Sequence, residues 1–61
     1  METINIGEKR KWINNDEEFT VIGYEGIHHG NHWFVIEYET DNRKQTIQES
    51  VLISKTVAIR K

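Results

Sequence analysis

The stretch 32–38, His-Trp-Phe-Val-Ile-Glu-Tyr, constrains the fold more than any other part of the chain. It holds two β-branched and three aromatic residues and no Ala or Leu, the profile of a β-strand. Successive side chains of an extended chain point to opposite faces, so Trp33 and Val35 share one face and Phe34, Ile36 and Tyr38 the other. Both faces are apolar and both need covering, which is the position of a central strand in an all-β domain.

Sixty-one residues make one small β-barrel domain, spanning 1–61, near the lower size at which burial offsets the entropy of ordering a chain. With no cysteine there is no disulfide framework and no thiolate zinc site, and nothing calls for an oxidising compartment. A cytoplasmic location is the expectation. No apolar run approaches the roughly 18 residues of a membrane span, and the start Met-Glu-Thr-Ile-Asn-Ile lacks the basic-then-apolar layout of a signal peptide. Ten acidic and eight basic residues leave a formal charge of −2 and a pI near 5.8. That balance lacks the clustered positive charge of a broad nucleic-acid binder. The mean hydropathy of −0.70 is lean, yet the apolar residues gather into strand-like runs, the mark of a folded domain rather than disorder.

Ile4 and Ile6 stand at strand spacing before Gly7 and predict a short first strand or an extended arm. Lys9, Arg10 and Lys11 form a basic triplet ahead of Trp12 and Ile13, and Asn14-Asn15-Asp16 is turn chemistry. The run 19–25 predicts a second strand, with Gly23 marking a bulge or a close approach, and 26–31 a loop. Asp41 and Asn42 predict a two-residue hairpin turn that sets Glu39 against Lys44 and Ile36 against Ile47, with Phe34, Ile36, Tyr38 and Ile47 inward. In the preceding hairpin, pairing Tyr24 with His32 sets Ile22 against Phe34, Val21 against Val35 and Gly23 against Trp33, an indole over a glycine.

That register gathers Phe19, Val21, Trp33 and Val35 into an apolar outer stripe. A stripe of this kind calls for a cover. Either Ile4, Ile6, Trp12 and Ile13 fold over it as the barrel closes, or part of it is a contact surface. The run 49–54 predicts a single helical turn, and Val57 and Ile59 a last short strand. The expected fold is all-β: a small five-stranded, partly open barrel with one helical turn before the last strand. A three-stranded sheet packed by a helix over 45–55 is the competing arrangement.

Catalytic signatures are absent: there is no nucleophile elbow, phosphate loop or metalloprotease motif, so neither an enzyme nor a small-molecule substrate is expected. His28, His29 and His32 are the one grouping with metal-ligand or pH-switch chemistry. Adjacent histidines on an extended backbone diverge, and polar loop residues are the plainer account, so no metal and no cofactor is expected. Two surfaces remain. Trp33, Tyr24, Val35 and Val21 form the expected protein-binding face, aromatic residues being enriched at binding hot spots. The alternative is a nucleic-acid edge: pairing of the first and last strands would bring Lys9, Arg10 and Lys11 beside Arg60 and Lys61, with Trp12 at the border to take a base. The same cations also serve to keep a strand edge from aggregating.

The order of strand-like runs, 19–25, 32–39 and 43–48, then a helical turn and 57–59, resembles the layout of a Src-homology-type small barrel. The wording of 19–25, of Trp33-Phe-Val-Ile-Glu-Tyr38 and of 50–57 is also similar to small β domains encoded by bacteriophages, some beside homing nucleases. That resemblance implies DNA binding or interaction with host proteins, and it carries no catalytic residue onto this chain. The acidic balance departs from a typical DNA binder. The reading that follows is a non-catalytic module binding another protein, either a host protein or a second copy of itself, and no membrane.

Overall fold

The computed structural model describes residues 3–59. Five strands, β1 (Lys9–Trp12), β2 (Glu18–His28), β3 (Asn31–Tyr38), β4 (Lys44–Gln48) and β5 (Thr56–Ala58), form one antiparallel sheet in the order β4-β3-β2-β1-β5. A short helix, α1 (Glu49–Lys55), links the two edge strands β4 and β5. The sheet is therefore a small, partly open barrel, as the alternating runs predict. The first and last strands pair, Arg10 with Ala58 and Trp12 with Thr56.

Phe34, Ile36, Tyr38 and Ile47 are all buried, in agreement with their alternation along β3 and β4. They close on Leu52 of α1 and on Ile4, which enters the core from the segment before β1, while Ile6 stays 56 % exposed. Phe19 and Val21, expected on the outer stripe, are fully buried in this core.

The reason is the β2–β3 register. The hairpin closes on a two-residue turn, His29-Gly30, with His28 opposite Asn31. Both turn residues have positive φ, +54° and +78°, the requirement of a type I′ turn. Bulges between Val21 and Gly23 and between Tyr24 and Gly26 then each shift the register by one residue. Together they carry Val21 opposite Ile36, Gly23 opposite Val35 and Tyr24 opposite Phe34 instead of the expected partners. An odd shift moves a side chain to the other face, and it moves Val21 inward.

The β3–β4 connection is also longer than expected. Tyr38 N–H donates to Arg43 O at 2.8 Å, which leaves a four-residue loop, 39–42, with Asn42 at φ +58°. Ile36 therefore faces Gln45, Phe34 faces Ile47, and Glu37 takes the place of Glu39 opposite Lys44. This shift is even, so every side chain keeps its predicted face. Along β1, Lys9 and Lys11 alternate with the inward Arg10, which is fully buried, and with Trp12, which packs on the core edge.

Candidate functional site

The β2–β3 hairpin outgrows its neighbours. Strand β1 accompanies β2 only as far as Thr20, bonds from Gly7 and Glu8 reach Val21, and β4 accompanies β3 no farther back than Trp33. Beyond those points, among the described residues, the two strands pair only with each other and form an arm.

One face of the arm is an aromatic cluster. The Tyr24 ring lies 5.2 Å from that of Phe34 and 5.9 Å from that of His32 between centroids. Tyr24 Oη and His32 Nδ1 share a hydrogen bond of 2.7 Å. Ile27 sits directly across from His32, and cross-strand partners project to one side. Tyr24 is 50 % exposed and Ile27 61 %. Ile27 escaped notice in the sequence because 26–31 reads as a loop; a histidine before Gly30, able to hold a left-handed conformation, was the signal of a turn two residues long.

Trp33 and Val35 lie on the other face, each half-buried. The expected seat of the Trp33 indole over Gly23 is replaced: its cross-strand partner is Gly26, and a Cβ there would meet nothing within 4 Å. The indole N–H instead donates to His28 O at 3.2 Å. Glycine is needed at position 26 for its backbone, at φ +108° in the second bulge. Of the four residues predicted to form a protein-binding face, Tyr24 thus stands opposite Trp33 and Val35, and Val21 is in the core, out of reach of any partner.

Among the described residues, Lys9, Arg10 and Lys11 do not form a sheet edge. Strand β1 lies between β2 and β5, and Arg10 is enclosed. Its guanidinium donates to Thr56 Oγ1 at 2.8 Å, to the carbonyls of Leu52 and Thr56 at 3.1 and 3.2 Å, and to Glu8 Oε2 at 2.7 Å. Lys9 pairs with Glu39 at 2.8 Å, and Lys11 with Asp16 at 3.6 Å. The Glu39 carboxylate raises the Lys9 pKa above its ordinary 10.5, first by the hydrogen bond and then by its charge. Trp12 turns inward, its N–H donating to Tyr38 Oη at 3.1 Å. Arg60 and Lys61 lie outside the described residues. His28 and His29 are exposed at the hairpin tip, and among the described residues no three His, Cys, Asp or Glu side chains are grouped as metal ligands.

Two clefts adjoin Trp12. The larger, about 430 Å³, is lined by Trp12, Ile13, Asn14, Ser54 and Lys55. The smaller, about 280 Å³, lies between Trp12, Trp33, Val51 and residues 45–48 of β4.

Comparison with protein-family models finds no match, and comparisons with curated proteins and with solved structures find none either. No helix among the described residues is long and apolar enough to cross a membrane.

Proposed function

We propose that this chain is a non-catalytic interaction module that binds another protein through the β2–β3 arm, Tyr24 and Ile27 making the contact. The observation that carries this reading is their exposure on a braced hairpin, 50 % for Tyr24 and 61 % for Ile27. The type I′ turn, the Tyr24–His32 bond and the Trp33–His28 bond hold the arm in one shape, so little order is lost on binding. Covering an isoleucine and a tyrosine contributes about 1.5–3 kcal/mol for each side chain taken fully out of water, and these two begin half or more exposed. Trp33 acts from behind as the brace of the arm.

The Src-homology-type layout and the likeness to phage-encoded β domains direct the search for a partner to a host protein in the cytoplasm, with a second copy of the chain as the other candidate. The test is a paired substitution. Ile27→Ser alters an exposed side chain, whereas Tyr24→Ser also removes the bond to His32 and the ring contact with Phe34. Thermal unfolding is therefore measured beside capture, and Tyr24→Phe serves as the variant that keeps the ring. Partner capture, or self-association read from solution mass, is expected to fall at least about tenfold, two anchors at about 1–2 kcal/mol each. Undiminished capture overturns the assignment, and retention on DNA or RNA that weakens steeply with salt would favour the nucleic-acid alternative.

A further inference from the structure

The seam of clefts beside Trp12 has features that the arm does not explain. Trp12 contributes to the lining of both clefts, so the two are neighbours. The smaller cleft touches four consecutive residues of β4, 45–48. Neighbouring side chains of a strand alternate between faces, so a cleft that touches all four runs along the edge of the strand. Strand β4 is the end of the sheet, and among the described residues no strand pairs with this side. On that side its backbone N–H and C=O groups enter no ladder among the described residues.

Lys55 is the single charged residue lining either cleft. The other described cations, Lys9, Arg10, Lys11, Arg43 and Lys44, each have a carboxylate within 3.8 Å. Among the described residues Lys55 has none. In a chain of net charge −2, the seam is thus an apolar, strand-edged groove with one unmatched positive charge.

We infer that this seam takes an extended peptide segment of a partner protein, which adds as a strand to β4, lays an apolar side chain against Trp12 and Ile13, and sets a carboxylate beside Lys55. Addition to a free strand edge supplies affinity through main-chain hydrogen bonds, and the flanking side-chain seats supply selectivity. Trp33, the brace of the arm, lines the smaller cleft, but Tyr24 and Ile27 stand on the opposite face of the hairpin and line neither cleft.

Random linear peptides displayed on phage and selected against the whole chain test this. Enriched sequences are expected to place Asp or Glu close to a large apolar residue, and a synthetic peptide of that sequence is expected to shift the amide resonances of residues 45–48 and the Trp12 indole. Lys55→Glu should weaken that peptide about three- to tenfold, as the reversal of one exposed ion pair does, and Lys55→Gln by less. Methylating alternate backbone nitrogens of the peptide should abolish binding, and Tyr24→Ser with Ile27→Ser should leave it unchanged. Failure to enrich any peptide, equal binding to Lys55→Glu, tolerance of backbone methylation, or shifts at Tyr24 and Ile27 in place of β4 would each overturn the inference, without bearing on the arm.

Discussion

Arg10 Nε donates to the hydroxyl of Thr56 at 2.8 Å and so joins the first strand to the last from 46 positions away. The same guanidinium holds the carbonyl of Leu52, a residue of α1 that is itself fully buried. Arginine suits this place because its planar fork serves several acceptors at once and stays charged, with Glu8 as counter-ion. The fold is thus gathered around a buried cation at the point where β1, α1 and β5 meet.

Removing that cation should be costly. Arg10→Ala removes the counter-ion of Glu8 and a donor from each of the Leu52 and Thr56 carbonyls, the former keeping the Thr56 hydroxyl, and breaking a buried pair costs about 3–5 kcal/mol. That is comparable to the roughly 3–5 kcal/mol a core this small supplies. Arg10→Ala is therefore expected to lose its cooperative thermal transition, with Arg10→Lys in between because an ammonium cannot fork. A sharp, unshifted transition in Arg10→Ala would contradict the role given to this residue.

Lys9 offers a pH test. Its pKa is raised by Glu39 above the ordinary 10.5, so its contribution is fully present below that value and is lost as the pH climbs through the folded-state value. Urea unfolding of Lys9→Met should differ slightly from the unsubstituted chain at about pH 7 and merge with it once the pH has climbed past the raised folded-state value. Added salt should narrow the same gap, since the pair is exposed to solvent.

The hairpin tip makes a third prediction. His29 holds φ +54°, a conformation that costs an ordinary side chain about 1–2 kcal/mol and asparagine less. His29→Asn creates the Asn-Gly pair favoured in type I′ turns and is expected to keep or raise the melting temperature. Gly30→Val, at φ +78°, should lower it by an amount worth about 1–2 kcal/mol. A neutral Gly30→Val would exclude the type I′ geometry in solution.

Features that depend on side-chain period were legible in the sequence: the inward face of Phe34, Ile36 and Tyr38, the pairing of first and last strands, and the helical turn that became α1. The β2–β3 register was not, because it depends on two bulges and a short turn rather than on period. Gly23 marked the first of those bulges, which falls between Val21 and Gly23, whereas the second, at Gly26 with its positive φ, lay in what reads as a loop, and neither glycine tells by how many residues the register shifts. Arg10 was hidden by its neighbours. Set between two lysines it looks like part of a solvated edge, yet alternation from Trp12 already assigns it to the inward face. In the binding surface, Tyr24 was visible as an aromatic in a strand, whereas Ile27 became visible only once the strand was seen to run on to His28.

Binding through the β2–β3 arm is tested most directly by amide hydrogen exchange, comparing the dilute chain with the chain bound to the protein it captures or concentrated with itself. Slower exchange centred on residues 22–33 is the predicted result, with β1 unchanged. Protection confined to β1 and the loops beside it, or none on the arm in a complex that demonstrably forms, would contradict the proposed function.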